Sequence, residues 1–176
     1  FLHLCAEHKF VGSRNGECAR AQVLAAACKD PSSGDAAIVR VLAENSSTEA
    51  KELVKTEFNG LRQAVHLLLH APVMLCVNQL WDVKTVPLGL MNGARGTGKA
   101  IVYRDGESPS QGHQPKYVVV AFDDYIGPTF FEAEERRTWV PVPPVKIKAD
   151  SNHKGWRRQI PLQLSWAVSL LKAQGL

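Results

Sequence analysis

The chemically promising residues fall into a few short groups. Ser169, Lys172, Gln174 and Gly175 bring a hydroxyl, an ammonium, an amide and bare backbone together at the end of the chain. A Lys head group can pair with a phosphate, and Gly lets backbone approach a ligand closely. Lys146, Lys148, Lys154, Arg157 and Arg158 crowd a second stretch, with Asp150 as the opposing charge. A phosphate backbone suits such a stretch; so does open solvent. Gly93-Ala94-Arg95-Gly96-Thr97-Gly98-Lys99-Ala100 almost spells the phosphate loop GxxxxGK followed by Ser or Thr. Ala100 stands where a hydroxyl would hold magnesium. A phosphate loop also opens a helix, whereas Ala100-Ile101-Val102-Tyr103 and Arg104-Asp105-Gly106 read as a strand and a turn. A hairpin turn is therefore expected. His66 and His70 share a face of a helix or a strand, but they flank three leucines and lack the glutamate of HExxH. No metal site is expected. None of the four cysteines forms a CxxC pair, which argues against a zinc ribbon and for a reducing compartment.

Those groups need elements to hold them. Asn15 to Lys29 is Ala-rich and stops at Asp30-Pro31, so it reads as a helix. Leu2 to Ala6 and Ala36 to Ala43 read as strands. Ser46-Ser47-Thr48-Glu49 fits a capping box, opening a short helix to about Phe58. Ala64–Leu69, Val73–Val77, Lys99–Tyr103, Lys116–Phe122 and Thr138–Val142 read as short strands between Gly-, Pro- and Ser-rich loops, with Pro141 marking a sheet edge. Such a series suggests a small barrel. At the end, Pro161 can begin a helix. The apolar run from Leu162 to Leu171 is equally a short buried strand, because periodicity alone does not separate the two. The expected architecture is an α/β unit split by a β-barrel insert.

Bulk properties are permissive. With 45% apolar and 22% charged residues, the composition is that of a globular domain, so disorder is not the default. No apolar run is long enough to span a bilayer. A net charge of +4 allows a polyanionic partner without demanding one. The start at Phe1 reads as the middle of a longer chain or a processed product.

Ala71-Pro72-Val73-Met74-Leu75, then Asn78, then Gly89-Leu90-Met91-Asn92-Gly93-Ala94-Arg95-Gly96 resembles a signature of Pif-type DNA helicases, found in the small SH3-like insert of their second motor domain. Arg158-Gln159-Ile160-Pro161-Leu162 through Ser165-Trp166-Ala167 to Lys172-Ala173-Gln174-Gly175 is similar to the family's motif V, and Leu4-Cys5-Ala6 with Val11 and Asn15 to its motif IV region. The fold class implied is α/β, a partial RecA-like motor domain interrupted by a small SH3-like β-barrel. Residues 1–63 would begin the RecA-like domain, 64–150 would form the insert, and 151–176 would return and end in motif V.

The parent would be an ATP-dependent motor, using ATP and Mg2+ and translocating on single-stranded DNA. By this resemblance Ser169, Lys172, Gln174 and Gly175 contact DNA or couple it to the nucleotide cleft, and Asn15 lies near the nucleotide. Asn92, Arg95, Arg157 and Arg158 are further DNA-binding candidates. Leu171 and Ala173 depart from the motif, where His and Ser are expected, and His8 stands for an Asn. No convincing Walker A loop or Walker B acidic pair is present, so the chain alone is expected not to hydrolyse ATP or to need a cofactor; the N-terminal motor domain of the same chain would supply that half. The alternative is a helicase-derived binding or structural subunit of a larger assembly. The compartment expected is nuclear or organellar. Trp166 reads as core, and Trp139 and Trp156 as more open.

Overall fold

The computed structural model describes residues 3–5, 8–29, 38–81, 83–149 and 155–169. It is a mixed α/β structure with several antiparallel sheets and one parallel pair. Helix α1 (His8–Lys29) follows strand β1 (His3–Cys5). Strand β2 (Val39–Leu42) pairs with β4 (Ala64–Leu67), and between them lie β3 (Glu44–Asn45) and helix α2 (Thr48–Glu52). Strands β5 (Pro72–Leu75), β6 (Gln79–Leu80), β7 (Val83–Lys84), β8 (Arg95–Val102), β9 (Tyr117–Phe122), β10 (Trp139–Val142) and β11 (Val145–Lys148) come next. The tail adds β12 (Trp156–Gln159), β13 (Leu162–Leu164) and β14 (Ala167–Ser169).

As far as Ser169 the tail is thus three strands, not a helix. Its apolar run is buried on both sides. Leu162 pairs with Leu75 and joins the main core, while Leu164 and Trp166 pack on Ala19, Leu68 and Ala71 beneath α1. Strand β14 lies parallel to β1, so the last described strand returns to the first.

The largest sheet is antiparallel, in the order β10-β9-β8-β5-β13. Its edges β10 and β13 do not pair with each other, so the sheet is open and, among the described residues, the expected barrel does not close. Pairings also run across both expected domain boundaries. Strand β4 pairs back to β2, and β11 pairs forward to β12, which pairs with β3. Val73, Leu75, Val118, Val120, Phe122, Val140 and Val142 form the sheet's buried face. Pro141 sits in the edge strand β10, where its missing N–H costs no ladder bond.

The phosphate-loop look-alike is mostly strand. Ala94 donates its N–H to the Met91 carbonyl at 2.9 Å, closing a turn with Gly93 at φ 109°. From Arg95 the chain is already β8, with a bulge between Gly98 and Ala100 that accommodates Lys99. The hairpin turn therefore ends before Arg95. A Cβ on Gly96 would land on the Ala121 carbonyl and 2.8 Å from Val120 Cγ1. Gly96→Ala is accordingly expected to cost about 1–3 kcal/mol by overpacking. An unchanged urea midpoint would refute this close approach of β8 and β9.

The expected capping box does not form, because with the cap one residue later Ala50 stands at the third helical position. Ser47, not Ser46, caps α2 and accepts from the Ala50 N–H at 3.2 Å. Its hydroxyl hydrogen-bonds the Glu49 carboxylate and holds that group below its ordinary pKa, with a smaller contribution from the Glu49 backbone N–H. The Ser46 hydroxyl instead accepts from the Trp156 N–H at 3.0 Å. The helix ends at Leu53, and a 3-10 turn, Lys55–Phe58, replaces the expected continuation.

Candidate nucleic-acid interface

A polar cleft of about 1170 Å³ opens between three parts of the fold. One wall is the 3-10 turn with Lys55, Thr56 and Asn59. The second is the segment after β5, with Asn78, Gln79 of β6 and Trp81, and Asn92 beside it. The third is β11. Met74 and Gln163 form part of the floor. Lys55, Arg62, Lys146 and Lys148 line the cleft, and among the described residues no Asp or Glu does. A concave surface lined by one sign of charge concentrates field and attracts the opposite charge.

Strand geometry explains which cations arrive there. Successive side chains on a strand alternate faces, so Lys146 and Lys148 point one way while Val145 and Ile147 pack on the core. Lys146 lies opposite Arg158 and Lys148 opposite Trp156, which puts all four on one face. The Lys146 Nζ sits 4.0 Å from the centre of the Trp156 ring.

Arg157 points the other way. It is only 1% exposed, and its guanidinium donates to Asn45 Oδ1 and to the carbonyls of Leu61, Ala50, Lys51 and Leu53. The Phe58 ring lies 4.2 Å from it. Burial pushes its pKa below the ordinary arginine value. Where the sequence reading expects a DNA contact from Arg157, the structure directs its buried guanidinium at five acceptors inside the protein. Arg158 does not line the cleft; its Nη1 pairs with Glu44 Oε1 at 2.9 Å. A surface pair of that kind holds by only about 0–1 kcal/mol.

Asn92 lines the cleft, and its backbone N–H donates to Asn78 Oδ1 at 2.7 Å, tying the two loops together. Arg95 pairs with Met74 across β8 and β5, and Met74 with Gln163 across β13. Residues directly opposite share a face, so Arg95 stands on the face that carries the cleft floor. Its Nε is buried without a partner, while Gln163 Oε1 accepts from Arg62 at 3.2 Å.

Asn15 lies elsewhere, in α1. Its amide donates to the carbonyls of Leu164 and Ala167 and accepts from the Ala167 N–H at 2.7 Å. The side chain expected near a nucleotide is engaged with the protein's own backbone. Ser169 is the last residue of β14, paired with Cys5. Lys172, Gln174 and Gly175 lie outside the described residues.

Sequence reasoning missed Lys55, Arg62 and Trp81. Lys55 sits between Glu52 and Glu57, so local charge gave no signal, and only the fold carries it to β11. Trp139 has Arg136 at 5.0 Å and Lys99 at 5.7 Å from its ring centre and is half-buried. Among the described residues no group of three or more His, Cys, Asp or Glu is placed to hold a metal ion, and no helix is long and apolar enough to cross a membrane.

No family model matches the chain, and no curated protein matches it. Solved structures do. A structure of two coordinating Pif1 helicases unwinding forked double-stranded DNA superposes with a TM-score of 0.63 at 18% identity, covering 100% of this chain and 30% of that one. Bacteroides Pif1 bound to single-stranded DNA gives 0.59 at 17% identity, covering 100% and 32%. Pif1 from Candida albicans gives 0.60 at 22%, covering 99% and 36%. The fold is that of part of a Pif1 helicase, and the chain spans about a third of the length of these three structures.

Proposed function

We propose that this chain is part of the second motor domain of a Pif-type DNA helicase, and that single-stranded DNA lies in the cleft against Lys55, Arg62, Lys146 and Lys148. The observation that carries the reading is the cleft itself, with four cations and, among the described residues, no carboxylate on its lining. Fold likeness over the whole chain, including to a Pif1 bound to single-stranded DNA, supports it.

In this reading residues 1–63 and 151–176 belong to the RecA-like domain. Residues 64–150 correspond to the SH3-like insert, its sheet left open. Asn92 and Arg95 lie along the path of the strand. Ser169, Lys172, Gln174 and Gly175 extend that path and couple it to the nucleotide. Translocation on DNA, ATP use and a nuclear or organellar setting belong to the parent protein, completed by an N-terminal motor domain.

Pif1 structures in complex with ADP-AlF4 and with ADP-AlF3 and single-stranded DNA bring nucleotide into the picture. The described residues here do not fit its phosphates. The stretch Arg95–Ala100 is strand, with backbone engaged in ladders, and the Asn15 amide is occupied. ATP and magnesium are therefore assigned to the parent protein.

Binding to a labelled oligothymidine tests the reading. Each phosphate contact on a single strand contributes a slope of about −0.7 in log K against log salt. Contact by four cations predicts a slope of about −3, a loss of about fifty-fold between about 50 and about 200 mM salt. Replacing Lys146 and Lys148 together by Ala should halve the slope. Absent binding at low salt would sink the reading and leave the structural-subunit alternative.

A further inference from the structure

Strands β6 and β7 form a hairpin in which Leu80 pairs with Val83, so Trp81 opens a connection two residues long. Such turns favour Asn-Gly, because the first position needs a positive φ. Trp81 occupies that position at φ 51°. A bulky side chain there is strained, and strain of this kind clusters at functional sites. The indole is also backed by other rings. Its centre lies 5.2 Å from that of Phe130, which lies 6.4 Å from that of Tyr125. Tyr125 is buried, and its hydroxyl donates to the Pro128 carbonyl at 2.6 Å, fixing the loop that carries Phe130. Phe130 is 45% exposed, and Trp81 lines the basic cleft. The row of rings thus runs from the core outward to the wall of a site whose other walls carry cations.

We propose that Trp81, backed by Phe130, is a stacking platform for a nucleobase of the strand held in the cleft. The inference rests on the reading of the cleft as a single-strand site. Cations that hold phosphates and a π-face beside them are what an unpaired nucleotide presents contacts for, since every base has a stackable face. A duplex keeps its bases stacked on one another and has none to offer. The strained turn then has a purpose, which is to place an indole at the cleft wall where a turn-forming Asn could not stack.

Trp81→Asn separates this role from a structural one. Asn adopts the left-handed region readily, so the hairpin should hold, and the melting temperature should fall only by what the lost packing of the ring on Phe130 and the core costs. Affinity for oligothymidine is expected to fall about tenfold. The salt slope should stay that of the wild type, because a stacked base releases no counterions. A second measurement uses the wild-type chain with an abasic deoxyribose-phosphate oligomer of the same length. Wild type should prefer oligothymidine by about tenfold, the Asn variant should not, and Trp81→Phe should retain part of the preference. Unchanged affinity in Trp81→Asn, or a base preference missing in wild type or persisting in the variant, overturns the platform while a steep salt slope keeps the cleft. No salt-dependent binding by the wild type overturns both.

Discussion

Arg157→Ala should lower the stability of this chain by about 3–5 kcal/mol, because several neutral acceptors lose their donor at about 1–3 kcal/mol for each unsatisfied group, partly relieved by relaxation. The side chain acts as a helix cap supplied from a distant strand. A helix leaves its last carbonyls without partners, and in α2 those of Ala50 and Lys51, with the Leu53 carbonyl just beyond, receive Arg157 Nη2 at 3.1, 3.3 and 3.0 Å. Nη1 donates to Leu61 O and Nε to Asn45 Oδ1, both at 3.0 Å. One guanidinium therefore fixes α2, the chain after the 3-10 turn, and β3 to β12. Deleting it strands five acceptor contacts, two of them buried and three half-buried. Arg157→Lys should recover little, because an ammonium cannot reproduce the planar fork. Urea unfolding gives the stability, and the salt slope of DNA binding by the folded variant gives the role. The slope should match wild type. A variant of unchanged stability with a shallower slope would return Arg157 to the DNA interface.

Arg157 also shows where the sequence was legible and where it was not. As a run of basic residues, 146 to 158 looked like one surface. Once it is strand, neighbouring residues face opposite ways, and Arg157 and Arg158 part company: one enters the core, the other meets Glu44 at the surface. The same ambiguity governed the tail. Leu162 and Leu164 fit helix and strand alike, and what decides is the presence of apolar partners on both sides, β5 with the main core and α1 with its small cluster. Elements with local signals were plain, including the Ala-rich α1, the Val-rich β9 and the Pro-bearing edge β10. The cleft was half legible. Lys146, Lys148 and Asn92 stood in stretches already singled out, whereas Lys55 and Arg62 join them only through long-range pairing of β3 with β12 and of β2 with β4.

Asn15→Leu should cost about 2–4 kcal/mol, because it leaves buried backbone groups of the tail unpaired at about 1–3 kcal/mol for each unsatisfied group, partly relieved by relaxation. The Asn15 amide bridges two carbonyls and one N–H on either side of Trp166, where β13 gives way to β14. No regular ladder serves that bend, so a side chain from α1 stands in for a neighbouring strand. The loss should be local. Hydrogen exchange at the Ala167 amide should accelerate far more than at Val120, which lies inside the five-stranded sheet. Strand β14 runs on to Ser169 and towards Lys172, so loosening it should also weaken oligothymidine binding without touching the cleft cations. The competing role for Asn15, a direct contact to nucleotide, makes the opposite forecast for the full-length parent: nucleotide affinity would fall while stability and Ala167 protection stayed at wild-type values. That pattern would sink the assignment of Asn15 as the clamp between α1 and the tail.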